Sequence, residues 1–67
     1  MAKKTLADLR PGDDVIIHDT SNERDLVGNF MRHDQGSMYA WVTRFGSPMK
    51  FNDEGLTPMG RFKLRVA

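Results

Sequence analysis

Apolar and polar residues alternate with a period of two in several short segments of this chain, which predicts β-strands. The clearest case lies at residues 61–66, where the apolar members share one face of an extended chain and the basic members share the other. The apolar residues are Phe62, Leu64 and Val66, and the basic residues are Arg61, Lys63 and Arg65. No segment shows a sustained apolar period of 3.6 residues, which argues against an all-helical fold.

Four further strands are predicted from short runs of apolar, aromatic and β-branched residues. They cover residues 14–19, residues 26–33 and the two arms of residues 38–52, which are joined by the turn Gly46-Ser47-Pro48. Gly28, inside the second strand, indicates a bend, a bulge or a close backbone approach, and each of these helps a sheet to curl. Residues 34–37, Asp-Gln-Gly-Ser, predict a type I turn followed by a glycine in the left-handed conformation.

The remaining segments predict a short helical turn and polar loops. Thr5 and Asp8 have the spacing of a capping box, and Pro11 ends the helical turn that they start. Residues 20–25 contain no apolar side chain and predict a loop in water. Residues 52–55, Asn-Asp-Glu-Gly, predict a further turn before the last strand.

Five short strands with tight turns are best accommodated as a small β-barrel, because a flat sheet of this size leaves two unpaired edges. We expect the last strand to pair beside the first. A chain of 67 residues forms one domain and buries only about 60 % of the surface that it exposes when unfolded. The predicted core is Leu9, Val15, Ile17, Phe30, Ala40, Val42, Phe51, Phe62, Leu64 and Val66.

Three segments resemble the KOW type of SH3-like barrel over about half of the chain. Residues 12–17, Gly-Asp-Asp-Val-Ile-Ile, are similar to the first strand of that family. Residues 24–30 resemble its loop and second strand with a glycine, and residues 40–42 resemble its third, apolar strand. The resemblance implies a five-stranded SH3-like barrel, here preceded by the short helical turn. It also implies a binding module for nucleic acid, or for proteins that handle nucleic acid, and not a catalyst.

Composition narrows the class of protein further. The chain contains no Cys, so it has neither a disulfide nor a cysteine-bound structural zinc. This suits the reducing cytoplasm, which is the location we expect. The longest apolar run, residues 38–42, has five members and is far too short to span a membrane.

Charge is distributed unevenly along a chain whose net charge is only +1. Residues 1–25 sum to −2, residues 26–43 to zero and residues 44–67 to +3. Such an imbalance favours one basic face. The alternative is an ordinary surface of mixed charge.

Catalytic and metal-binding patterns are weak. The pairs His18-Asp19 and His33-Asp34 contain metal-binding side chains, but successive residues of a strand point to opposite faces and cannot easily share a ligand. The chain has no Cys nucleophile, and no Ser lies in a G-x-S-x-G sequence. The glycines do not have the spacing of a phosphate-binding loop. We therefore expect neither an enzyme nor a cofactor or metal site.

Two aromatic residues and a set of basic residues are the candidate binding site. If Ala40 and Val42 face the core, Tyr39 and Trp41 face solvent, as a stacking surface for single-stranded nucleic acid or a protein-binding hot spot requires. The alternatives are that Trp41 faces inward and Ala40 outward, or that the N-terminal turn with Leu6 covers the aromatic side chains. The basic candidates are Arg44, Lys50, Arg61, Lys63 and Arg65. The last three also fit a protective role, because charge on an exposed strand edge deters aggregation.

These features predict a non-enzymatic macromolecular binding module. The first hypothesis is nucleic-acid binding, in which the basic side chains contact phosphates and Tyr39 or Trp41 stacks on bases. The second is a small protein-binding accessory factor, an inhibitor or adaptor of the kind that phages and mobile elements encode, acting on an acidic partner. The sequence leaves the identity of the partner and the oligomeric state open.

Overall fold

The computed structural model describes residues 4–67 and shows one sheet of five antiparallel strands, preceded by a single 3₁₀ turn. The strands are β1 (Asp14–Asp19), β2 (Arg24–Asp34), β3 (Ser37–Val42), β4 (Ser47–Asn52) and β5 (Phe62–Val66), and the 3₁₀ turn is Leu6–Asp8. Their order across the sheet is β4-β3-β2-β1-β5. The predicted all-β class is confirmed, and so is the pairing of the last strand beside the first.

The sheet curls into a half-barrel, a shape compatible with a small SH3-like barrel. Its curvature is visible where the turn after β3 reaches β5: the rings of Phe45 and Phe62 lie 6.1 Å apart, edge to face. The other partner of β5 is β1, and their register places Ile17 beside Leu64. Apolar side chains from the inner face of every strand therefore meet in one core.

The turn between β3 and β4 differs from the prediction. Ser47 and Pro48 belong to β4, and the turn consists of residues 43–46. Gly46 ends this turn with a φ of +62° and donates its N–H to the carbonyl of Val42 at 2.9 Å. Pro48 is accommodated inside a strand because β4 is an edge strand, where a missing N–H disrupts no ladder.

The turn between β2 and β3 also differs from the prediction. Gln35 and Gly36 both have positive φ, 45° and 84°, and Asp34 pairs directly with Ser37. This is a two-residue turn of type I′, not a type I turn followed by a left-handed glycine. The I′ geometry matches the right-handed twist of the paired strands, which the type I geometry does not.

The N-terminal helical turn forms as predicted. The backbone N–H and the hydroxyl of Thr5 both donate to Oδ2 of Asp8 at 3.1 Å, and the Asp8 N–H donates to the Thr5 carbonyl at 3.0 Å. The bond from the Thr5 N–H lowers the pKa of Asp8. The turn ends at Leu9, whose side chain is buried in the core.

The observed core contains most of the residues predicted for it. The buried apolar residues are Leu9, Val15, Ile17, Leu26, Phe30, Met38, Ala40, Val42, Phe51 and Leu64. Phe62 and Val66 were predicted to be buried and are only partly so, because they lie near the two ends of the edge strand β5. Leu26 and Met38 were missed, although each lies an even number of residues from a predicted core residue of its own strand.

Gly28 lies where the backbones of β2 and β3 approach each other closely. A Cβ atom at this position lies 2.2 Å from the carbonyl oxygen of Trp41 and 3.0 Å from Cδ1 of Ile17. Of the three roles predicted for this glycine, the close backbone approach is therefore the correct one. The β-bulge of this strand occurs further on, between Phe30 and Arg32.

We expect Gly28→Ala to destabilise the fold by about 1–3 kcal/mol, the usual cost of overpacking, because the backbone of β3 must move to admit a methyl group. Urea unfolding followed by Trp41 emission measures this loss as a lower midpoint at unchanged slope. Val27→Thr, at the exposed neighbouring position, is the matched control and should stay within about 0.5 kcal/mol of the original chain. Equal stability of Gly28→Ala and the original chain contradicts the proposed close approach.

Candidate nucleic-acid interface

Tyr39 and Trp41 both lie on the outer face of β3. Ala40 and Val42, the alternate residues of the same strand, have no exposed surface, so the side chains between and beside them must point away from the core. Trp41 keeps 41 % of its surface exposed, and Tyr39 is half-buried. The outward placement on which the predicted binding surface depends is therefore the one that the structure adopts.

Strand pairing surrounds these aromatic side chains with basic and polar neighbours. Tyr39 lies between Arg32 of β2 and Lys50 of β4, and Trp41 pairs with Pro48 of β4 on one side. The guanidinium carbon of Arg32 lies 4.7 Å from the centre of the Tyr39 ring, which is the geometry of a cation–π contact. We call Arg32, Tyr39, Trp41 and Lys50 the basic-aromatic cluster.

Arg32 reaches this cluster because of the bulge in β2. Phe30 pairs with Ala40 and Arg32 pairs with Tyr39, so Met31 is one extra residue between them. Without the bulge, Arg32 and the buried Phe30 would share the inner face. Sequence reasoning missed Arg32 for this reason. An arginine at a position that simple alternation assigns to the core is the signal that could have revealed it.

The cationic groups of the cluster are free of ion pairs. Among residues 4–67, no carboxylate oxygen lies within 4.0 Å of the charged nitrogens of Arg32 or Lys50. Both side chains are exposed. Their charge is therefore available to an anionic ligand.

Lys63 and Arg65 also lie on the outer face, but at the opposite edge of the sheet and near an acidic residue, Asp25. Arg65 approaches Oδ1 of Asp25 at 3.4 Å. The same oxygen accepts a hydrogen bond from Nδ1 of His18 at 2.7 Å, and Lys63 pairs with His18 across the strands. This part of the face has mixed charge and offers less to a phosphate.

Arg61 and Arg44 lie outside the strands, Arg61 just before β5 and Arg44 in the turn after β3. The Nε of Arg61 lies 3.5 Å from Oδ1 of Asp19, and its guanidinium covers the ring of Phe62 at 4.9 Å. Arg44 is exposed in the turn of residues 43–46. The predicted row of three cations is thus divided, because Arg61 precedes β5 and is held by an aspartate of β1.

Asp19 is a buried carboxylate that organises the loop between β1 and β2. Its Oδ2 accepts from Nδ2 of Asn22 at 2.8 Å, and its Oδ1 accepts from the N–H of Ser21 at 3.1 Å. Arg24 lies 3.4 Å from Oδ2 on the other side. These bonds, chiefly the one from the Asn22 side chain, lower the pKa of Asp19 to about 2. The charge that aligns Arg61 therefore persists at all but very low pH.

The two histidines do not form the pairs that their sequence suggests. His18 bonds to Asp25 of β2, not to Asp19. His33 donates from Nε2 to the carbonyl of Leu9 at 2.9 Å and packs against Phe30. Among residues 4–67, no cluster of three or more His, Asp and Glu side chains has a geometry that could hold a metal ion.

Comparisons with protein-family models, with curated proteins and with solved structures found no match to this chain. Within residues 4–67, no helix has the length and apolar character needed to cross a membrane. The function of this chain is therefore inferred from the geometry of its surface.

We expect Asp19→Asn to lower the melting temperature at pH 7 by roughly 4–8 °C, because the amide removes the charge that the loop and Arg61 are arranged around. The folded pKa of Asp19 is depressed, so its contribution is present above the unfolded value near 4 and is lost as the pH falls toward about 2. The difference between the two proteins should shrink over that interval. Thermal unfolding by circular dichroism at several pH values measures it.

Asp53→Asn is the matched control, since Asp53 is an exposed aspartate in the turn after β4. Its melting temperature should follow that of the original chain at every pH. A constant difference between Asp19→Asn and the original chain from pH 7 down to pH 2 contradicts the role assigned to the Asp19 charge.

Proposed function

We propose that this chain is a non-enzymatic module that binds single-stranded nucleic acid across the outer face of β2, β3 and β4. The observation that carries the proposal is the basic-aromatic cluster, in which two outward aromatic rings lie beside two cations that have no ion-pair partner among residues 4–67. Aromatic rings stack on bases irrespective of sequence, and cations contact the phosphates between them.

The spacing of the rings supports a single strand over a duplex. Tyr39 and Trp41 are two residues apart on one strand, which separates their Cα atoms by about 6.6 Å along it. This distance suits two bases that are splayed apart and not stacked on each other. A duplex keeps its base faces covered, whereas a single strand can present them to the protein. The resemblance to KOW-type barrels points to the same class of ligand.

Arg32 extends the stacking surface. Its guanidinium covers one side of the Tyr39 ring, so a base contacts Tyr39 from the other side or stacks on the guanidinium plane itself. Lys50 lies across the ring on β4 and is placed to contact a phosphate. With a net charge of only +1, the protein depends on these few contacts and not on a general basic surface. We place this activity in the cytoplasm, which suits a chain without Cys.

Three phosphate contacts to a single strand, from Arg32, Lys50 and the exposed Arg44 at the end of β3, give a log–log slope of affinity against salt near −2. Fluorescence anisotropy of a labelled single-stranded oligonucleotide at several salt concentrations measures this slope. Arg32→Gln and Lys50→Gln should each reduce its magnitude by about 0.7. Arg10→Gln, which removes an exposed charge of the N-terminal segment, should leave it unchanged. No anisotropy change at micromolar protein and low salt would exclude the proposal.

Trp41→Ala should weaken oligonucleotide binding about fivefold to 150-fold, since loss of one stacked base costs about 1–3 kcal/mol. Trp41→Phe keeps an aromatic ring and should bind within a few-fold of the original chain. Met59→Ala removes a different exposed apolar side chain and serves as the control with unchanged affinity. Unfolding curves of all three variants separate loss of binding from loss of fold. Equal affinities of Trp41→Ala and Met59→Ala contradict stacking on Trp41.

The second candidate function is a protein-binding accessory factor, and one feature of the same face favours it. Val27 is 60 % exposed on β2, and it pairs with the partly buried Ile16 of β1. Together with Trp41 they place apolar area at the centre of the outer face, as a protein-binding hot spot requires. If the oligonucleotide titration shows no binding, the protein-binding function remains. In that case an acidic partner contacts Lys63 and Arg65 at the edge of the outer face.

A further inference from the structure

A cleft lies beside the edge strand β4, next to the basic-aromatic cluster and the core but outside the surface proposed to bind nucleic acid. The cleft has a volume of about 370 Å³ and lies between β4 and the segment that leads into β5. Met49, Pro58, Met59 and Phe62 contribute apolar walls, and Lys50 and Arg61 stand at the margins. A smaller hollow of about 200 Å³, lined by Phe51 and by Leu56 among others, shares Lys50 and Pro58 with it.

Met59 gives the cleft an apolar group that contributes little to the fold. Its side chain is 92 % exposed, so its hydrophobic area is left in water. Methionine is flexible and polarisable and adapts to the shape of an apolar ligand. Together with Met49 and the ring of Phe62 it forms a surface typical of peptide recognition.

Within residues 4–67, the backbone of Lys50 has no hydrogen-bond partner on the outer side of β4. Asn52 of β4 turns its N–H away from β3 and donates it to the carbonyl of Leu56 at 2.9 Å. Because N–H groups alternate in direction along a strand, Lys50 turns its own N–H and carbonyl toward the same open edge. Pro48, two residues earlier, has no N–H to offer. The outer edge of β5 is different, since Leu64 there already donates to the carbonyl of Gly55 at 2.7 Å.

The charge at the cleft is of one sign. Among residues 4–67, Lys50 and Arg61 are the only charged residues that line it, and no carboxylate does. Arg61 is engaged through Nε with Asp19 at 3.5 Å, a contact that holds its guanidinium over Phe62. An occupant with carboxylates flanking an apolar side chain complements both the walls and the margins.

We propose that this cleft binds an extended, acidic and apolar segment of a partner protein, which lies along the edge of β4 and hydrogen-bonds to the backbone of Lys50. An apolar side chain of the segment enters between Met49, Met59 and Phe62, and its carboxylates lie near Lys50 and Arg61. This is addition of a strand to a sheet edge, with pockets for alternate side chains. A second copy of this chain is disfavoured as the occupant, because edge-to-edge pairing there places one Lys50 beside another.

The test uses the full chain labelled with ¹³C at the methionine methyl groups and with ¹⁵N. The probe is a capped hexapeptide of alternating Glu and Leu, and the control probe has alternating Lys and Leu. We expect saturable shifts of the Met49 and Met59 methyl signals and of the Lys50 amide, with the buried Met38 and the exposed Met31 on the bulge unaffected. The acidic probe should bind at least tenfold more tightly than the basic one.

Met59→Ala should weaken the acidic probe by about tenfold, the effect of losing one buried methionine side chain. Because Met59 is exposed, this variant should keep the melting temperature of the original chain. The same variant should bind the oligonucleotide normally, and Trp41→Ala should show the reverse pattern. The two surfaces are therefore tested independently of each other.

Several results overturn the proposal. Absence of saturable shifts at millimolar probe excludes the site, and equal affinity for both probes excludes charge recognition. Shifts of Met49 and Met59 that depend on protein concentration alone identify a second copy as the occupant. Shifts of these methyl groups with the oligonucleotide but not with the acidic probe assign the cleft to nucleic acid.

Discussion

The pairing of β2 with both of its neighbours is the constraint on which the rest of the structure depends. Because Gly28 has no side chain, the carbonyl oxygen of Trp41 can lie so close to it that a Cβ atom does not fit between them. Around that contact the inner face becomes the core and the outer face becomes solvent-exposed, because side chains alternate along every strand. Trp41 is exposed as a direct consequence, since its neighbours Ala40 and Val42 are the residues that the core takes in.

One extra residue in β2 then decides the chemistry of the outer face. The bulge at Met31 exchanges the faces of the residues that follow it, so that Arg32 leaves the core side and covers Tyr39. By the same exchange His33 lies on the face of Met38, where it stays exposed and bonds to the Leu9 carbonyl, which links β2 to the N-terminal segment. A local irregularity therefore supplies both a cation for the binding face and a polar contact that closes one end of the core.

The buried carboxylate of Asp19 separates Arg61 from the other basic residues near β5. Asp19 accepts five hydrogen bonds or ion-pair contacts at the end of β1, and one of them comes from Arg61. The contact with Asp19 holds Arg61 away from the face of Lys63 and Arg65, at the cleft beside β4. Lys50 of β4 belongs to both surfaces: its side chain lies beside Tyr39, and its backbone forms part of the open edge.

The sequence by itself determined the fold class, most strand positions and the composition of the core. Strict alternation in residues 61–66 predicted β5 to within a residue, because a strand with one buried face must repeat every two residues, and the β-branched residues of positions 14–19 predicted β1. The same rule left Trp41 either inward or outward, and no sequence pattern gave a reason to include Arg32 in the binding face. Tertiary structure alone decided these points, since a bulge, a register and a cross-strand partner such as Asp25 for His18 depend on residues distant in sequence. The separation of Arg61 from Lys63 and Arg65 followed from the position of Asp19 in space, which no local sequence pattern predicts.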